Sequence, residues 1–225
     1  MEVKNKIAVV TGVSKGIGFA VAQTLLQQGA IVFGLGRNNQ LTHDNYTFIE
    51  CDVKNPVSVE QAFATIYKST QQQIHILINN AGLGYFGKLE DITYEQWDEL
   101  YQTNVSGIFY CCKQVLPVMK QQEYGHIINI SSIAGLEGAT KFAVKGLSES
   151  LFKEVRDYKI KVTCIYPGSV KTDFFRNHAG VQPHDYMLMP EDIADNIMFV
   201  LKTPDNYHTV NVEVRPLQPK GPRKA

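Results

Sequence analysis

Short stretches of this 225-residue chain carry side chains able to do chemistry, and each follows a strand-like run. Thr11-Gly12-Val13-Ser14-Lys15-Gly16-Ile17-Gly18 comes after the apolar, β-branched run Lys6 to Val10 and before a helix-like stretch, Phe19 to Gln28. Strand, glycine turn and helix in that order make an anion site. The glycines let the backbone turn tightly and approach a pyrophosphate, and the helix start offers unpaired N–H groups to it. The expected ligand is a dinucleotide. The next strand-like run, Ala30 to Leu35, ends where such a site meets the adenine ribose. A carboxylate there suits a 2′-hydroxyl, and a basic residue suits a 2′-phosphate. The chain has Gly36-Arg37, with Lys15 as a second cation in the glycine turn. Two cations and no acid predict NADP(H) in preference to NAD(H), because phosphate pairs with guanidinium in a forked, charge-assisted geometry. Asn79 to Gly82, Ser131-Ser132 with Lys141 beyond, and Pro167 to Thr172 are the remaining polar clusters at strand ends.

The elements that must position these groups alternate. Asn38 to Asn45 is polar, so the helix expected between two strands is short or absent there. Tyr46 to Val53 reads as a strand, Val57 to Thr70 as a helix, and Ile74 to Ile78 as a compact strand of the kind buried in parallel sheets. Thr93-x-x-Gln96 has the form of a capping box and opens a helix towards Met119 that contains Asn104. His126 to Ile130, Lys161 to Tyr166 and Val210 to Val214 read as strands, Ala139 to Val155 and Pro190 to Leu201 as helices. This alternation predicts an α/β fold, a doubly wound parallel sheet in a single domain spanning 1–225, with ligands at the carboxyl ends of the strands. The aperiodic segment from about 174 to 189 is expected to be a lid over the substrate, and the basic tail from Lys220 to be disordered.

Charge and composition exclude several classes of partner. Twenty-two basic residues balance twenty-two acidic ones, so no net field favours nucleic acid or an anionic membrane. A charged start running straight into a strand is the wrong order for a signal peptide, and no apolar run approaches membrane-spanning length; a cytoplasmic location is expected. Cys51, Cys111, Cys112 and Cys164 lack Cys-x-x-Cys spacing, which argues against zinc or a redox pair and for reduced, buried thiols. Small molecules are the expected partners.

With these motifs in this order, the chain resembles the short-chain dehydrogenase/reductase family along nearly its whole length. The resemblance rests on Thr11 to Gly18, Asn79 to Gly82, Asn104, Ser132, Lys141 in Ala-Thr-Lys, and Pro167-Gly168 with Thr172. It implies a Rossmann fold and an NADP(H)-dependent oxidoreductase that interconverts a carbonyl and an alcohol, working as a homodimer or homotetramer. Helices after strands four and five would pair, with Phe109, Val115 and Met119 offering an apolar face equally suited to the core. A 3-oxoacyl-(acyl carrier protein) reductase is one subtype, although Val212 to Leu217 lacks the acidic-glycine ending common there.

The resemblance also implies a division of labour. Pyrophosphate would lie over Gly12, Ser14, Lys15, Gly16, Ile17 and Gly18, adenine beside Asp52 and Val53, and the adenosine ribose along Asn80, Ala81 and Gly82. Pro167, Gly168, Val170 and Thr172 would border the nicotinamide, with Thr172 at its carboxamide; the alternative for Thr172 is a helix cap. Lys141 would bind the nicotinamide ribose, Asn104 would position a water linking Lys141 to solvent, and Ser132 would hydrogen-bond the carbonyl oxygen. Tyr85 and Phe86 would shape the substrate pocket. In the family a tyrosine four residues before the lysine donates the proton, its phenol lowered from roughly 10 by the neighbouring cation.

Here the chain departs from the pattern, because the residue four before Lys141 is Glu137. Lys141 follows Ser132 by only nine positions, well short of the family's usual spacing, so length as well as a tyrosine is missing. The leading expectation is that a tyrosine-bearing segment belongs between Gly138 and Ala139, betrayed by a Cα–Cα separation well beyond the ~3.8 Å of a peptide. A true deletion would instead leave an inactive NADP-binding or scaffold protein. Glu137 as the acid is disfavoured, since a carboxyl titrates near 4 and an adjacent cation pushes it lower.

Overall fold

Both faces of a central sheet are covered by helices in the computed structural model, which describes residues 2–85, 88–133, 138–172 and 184–218. Strands β1 (Ile7–Thr11), β2 (Ile31–Gly36), β3 (Tyr46–Glu50), β4 (Ile76–Asn79), β5 (Gly125–Ile130), β6 (Ile160–Pro167) and β7 (Asn211–Val214) are ordered β3-β2-β1-β4-β5-β6-β7. Every neighbouring pair is parallel. The chain builds outward from β1 to β3, then returns to place β4 on the other side of β1. That reversal opens a crevice beyond the carboxyl ends of β1 and β4.

Burial on both faces explains why the inner strands β1 and β4 are continuously apolar, whereas the edge strand β7 alternates. Ala8 and Val10 of β1 join a core with helix α1 (Gly16–Gln27) and helix α6 (Pro190–Leu201), through Leu25, Ile193 and Leu201. Ile7 and Val9 point the other way. They join a second core with α2 (Pro56–Thr70), α4 (Gly107–Gln122) and α5 (Gly138–Val155), through Phe63, Val115, Met119 and Val155. Each fully buried leucine, isoleucine or phenylalanine contributes on the order of 2 kcal/mol. All four cysteines are buried free thiols.

The polar connection after β2 contains no helix, and β3 follows directly. The helix expected from Thr93 to Met119 is divided into α3 (Tyr94–Tyr101), a wider π-turn (Gln102–Ser106) and α4. Its capping box forms: the Thr93 hydroxyl accepts from the Gln96 N–H at 3.2 Å, and the Gln96 side chain accepts from the Thr93 N–H at 3.0 Å. Val115 and Met119 are wholly buried, so they belong to the core and not to a free face; Phe109, half exposed, points outward. Most of the expected lid, and the tail from Lys220, lie outside the described residues. Residues 184–189 are described: Leu188 bridges to Val170 and Met187 is buried. Among the described residues no helix is long and apolar enough to cross a membrane.

Candidate functional site

The glycine turn is shaped by what crowds it. Gly12 has φ +73° and an added Cβ would sit 2.9 Å from Ala81 Cα, so backbone freedom and close approach both demand glycine. Gly18 faces inward: a Cβ there would lie 2.3 Å from Gly12 O and from Asn80 Nδ2. It therefore packs the first turn of α1 against the loop rather than lining the crevice. The ends of β1 and β4 are stitched together across this point. Thr11 Oγ1 accepts from the N–H groups of Asn80 and Ala81, each at 3.0 Å, while Asn80 Nδ2 donates to Thr11 O at 3.0 Å and Gly12 O at 3.1 Å. Ser14 Oγ donates to Asn38 O at 2.6 Å, tying the turn to the chain just past Arg37.

The far wall depends on a buried polar chain. Asn79 Nδ2 donates to Asn129 Oδ1 at 2.8 Å, Asn129 Nδ2 to Ser148 Oγ at 2.9 Å, and Ser148 Oγ to Val144 O at 2.7 Å. These bonds join β4, β5 and α5, the helix that carries Lys141. Lys141 Nζ lies 3.4 Å from Ile130 O and close to Gly82, and Ser131 Oγ donates to Lys141 O at 3.0 Å. Asn104 is spent within the protein: Oδ1 accepts from Leu83 N at 2.9 Å, and Nδ2 donates to Leu83 O at 2.9 Å and to Thr140 Oγ1 at 3.2 Å. Its side chain fastens the loop after β4 to α5.

These walls enclose a cleft of about 470 Å³. Of the catalytic and cofactor-binding residues picked out from the sequence, all but Gly18 and Asn104 line it. One end is bounded by Arg37, Asp52 and Val53, the middle by the glycine turn and by Asn80 to Gly82, and the other end by Ser132, Lys141, Pro167, Gly168, Val170 and Thr172. The Thr172 methyl faces Gly16, where a Cβ would lie 3.2 Å from it. Gly168 N donates to Val214 O at 2.7 Å, which fixes the turn after β6.

Lys54, Leu83, Glu99 and Thr103 also line the cleft and were missed in the sequence. Lys54 adjoins Asp52-Val53 and could have been found by position; nothing local marks Glu99. Lys54 Nζ is 2.9 Å from Glu99 Oε1, and Tyr85 Oη donates to Glu99 Oε2 at 2.5 Å. The hydrogen bond from Tyr85, and then that from Lys54, hold the Glu99 carboxyl below its ordinary range. Tyr85 itself does not line the cleft, and Phe86 lies outside the described residues.

Gly138 and Ala139 are successive residues in the first turn of α5, which runs unbroken to Val155; the sequence after Gly138 has no helix breaker until Gly146. Glu137 lies outside the described residues.

The family model for the short chain dehydrogenase matches residues 6–180. An uncharacterized oxidoreductase of Staphylococcus aureus strain MW2 is 36% identical over 230 residues, covering 95% of this chain and 98% of that protein. The aligned stretch is longer than the 225 residues here, so the relative has residues with no counterpart in this chain. A serine dehydrogenase in a closed form complexed with NADP+ superposes with a TM-score of 0.83 at 28% identity, over 92% of this chain and 94% of that one. A 3-ketoacyl-(acyl-carrier-protein) reductase from Brucella melitensis, complexed with NADH, gives a TM-score of 0.87 over 97% of this chain and 100% of that one. At 23% identity it is alike in fold alone.

Proposed function

This chain is an oxidoreductase belonging to the short-chain dehydrogenase family, and from that premise we propose that it interconverts a carbonyl and an alcohol with NADP(H). The observation that carries the reading is one continuous cleft with a glycine turn and helix start on one wall and Ser132 and Lys141 on the other. The cradle at Gly12, where a side chain would collide with Ala81, fits a pyrophosphate, and the cleft volume is of the size that holds cofactors. The glycine turn and the N-terminus of α1 would hold the diphosphate, Asp52 and Val53 the adenine, and Asn80 to Gly82 the adenosine ribose. Arg37 and Lys15 would meet a 2′-phosphate. Val170 and Thr172 would hold the carboxamide and Lys141 the nicotinamide ribose.

A bound nicotinamide supplies hydride. Ser132 then donates a hydrogen bond to the carbonyl oxygen as charge develops on it, and Lys141 provides the nearby positive charge. With no phenol between them, the alkoxide would take its proton from solvent water, so turnover is expected to be slow. A cytoplasmic single domain, paired through the Phe109 face into a dimer or tetramer, completes the reading.

A second reading is favoured by the short spacing from Ser132 to Lys141 and by the relative's unmatched residues: a protein that holds NADP(H) without turnover. Two measurements separate them. NADPH binding, read as fluorescence change and thermal protection, is expected in both; oxidation of NADPH with a panel of aldehydes and ketones is expected only in the first. Absence of binding sinks both. For cofactor choice, Arg37→Asp should move the affinity ratio towards NADH, and an unchanged ratio counts against Arg37 as the phosphate partner.

A further inference from the structure

At the adenosine end of the cleft, segments far apart in sequence bring together a charge set that the end of β2 does not display. Residue 37 follows β2, residue 54 follows β3, and residue 99 sits in α3; all three line the cleft. The β2 end carries Gly36-Arg37 and no acid, but the fold delivers a carboxylate from the opposite wall. Glu99 is held there from two sides, by Lys54 at 2.9 Å and by the Tyr85 hydroxyl at 2.5 Å, so both of its oxygens are engaged while its side chain remains 36% exposed.

A carboxylate fixed in this position has two effects on a phosphorylated ribose. It occupies Lys54, which would otherwise be a phosphate partner, and its own charge opposes the phosphate. A 2′-hydroxyl suffers neither penalty. We propose that Glu99, clamped by Lys54 and Tyr85, is the specificity-determining residue that limits this cleft's preference for a 2′-phosphorylated dinucleotide over its unphosphorylated form. The proposal rests on the dinucleotide reading above and adds a residue that the local sequence does not mark. Arg37 and Lys15 favour the phosphate; Glu99 offsets them and keeps both cofactors within reach.

The test is titration of the full-length protein with NADPH and with NADH, followed by fluorescence, in wild type, Glu99→Gln and Lys54→Gln. Glu99→Gln is expected to raise NADPH affinity relative to NADH by about tenfold, a gain that shrinks as ionic strength rises. Lys54→Gln leaves the carboxylate unneutralised and is expected to lower the same ratio by about fivefold. Equal changes in both affinities for Glu99→Gln would mean that Glu99 is only a clamp between loops, and would overturn the proposal. Should Glu99→Gln fail to melt cooperatively, Lys54→Gln decides alone, an unchanged ratio overturning it. Wild type binding neither dinucleotide would overturn the dinucleotide reading and this proposal together; binding with unmoved ratios overturns this one only.

Discussion

Ser132 and Gly18 illustrate how differently single residues serve one cleft. Ser132 lines the cleft, and in the proposed reaction its hydroxyl has value only as charge develops on the substrate oxygen. Ser132→Ala is therefore expected to lower the rate of carbonyl reduction by roughly 10²-fold while NADPH affinity stays within about twofold, as paired kinetic and binding measurements would reveal. Gly18 touches no ligand space. Gly18→Ala forces a carbon to 2.3 Å from Gly12 O, a contact with backbone that must shift. It should destabilise the fold by roughly 1–3 kcal/mol in denaturant titration and weaken cofactor binding through the displaced turn. At Glu137 the question is chemical. Glu137→Tyr restores a phenol four residues before Lys141, and a turnover gain of about tenfold or more would identify proton delivery as the limiting step; no gain would mean that the shortened connection, not the residue type, is what matters.

Among elements, α5 has the most demanding placement, because it must set Lys141 against strands β4 and β5. The Asn79–Asn129–Ser148 chain does this inside an otherwise apolar layer. Asn129 is fully buried, so Asn129→Ala strands a donor and an acceptor on its neighbours. The expected cost is about 1–3 kcal/mol by chemical denaturation, with NADPH affinity reduced as α5 loosens. A fold no less stable than wild type would show that the chain contributes nothing net. The π-turn at Gln102–Ser106 acts similarly. It brings Asn104 to Leu83 and Thr140, joining the loop after β4 to the start of α5.

For the whole molecule, acid is the sensitive direction. Burial drives His126, 1% exposed, down to about 3, and with the charge of Lys6 holds His75 at about 4, against 6.5 in the unfolded chain. Both are neutral in the native state, and unfolding lets them take up protons. Their contribution is fully present above pH of about 6.5 and is lost as pH falls through the range from about 6.5 towards 4 and 3. Midpoints of urea denaturation should decline across that window. His126→Gln should flatten the slope if it folds, and a wild-type midpoint constant from pH 7 to about 4.5 would contradict the linkage.

What the sequence by itself determined was local in cause. The glycine turn, the Thr93 capping box, the helix-free stretch after β2 and the apolar strands are written in neighbouring residues, because backbone geometry and hydrogen bonding act over a few positions. Shortening before Lys141 is likewise plain in the sequence. Tertiary structure alone decided which side chains meet across the crevice. The joining of Lys54 and Tyr85 at Glu99, the commitment of Asn104 to Leu83, and the assignment of Val115 and Met119 to the core all depend on strand order and on the reversal between β1 and β4. Those contacts span loops whose facing is fixed by sheet packing, and no periodicity within one segment encodes it.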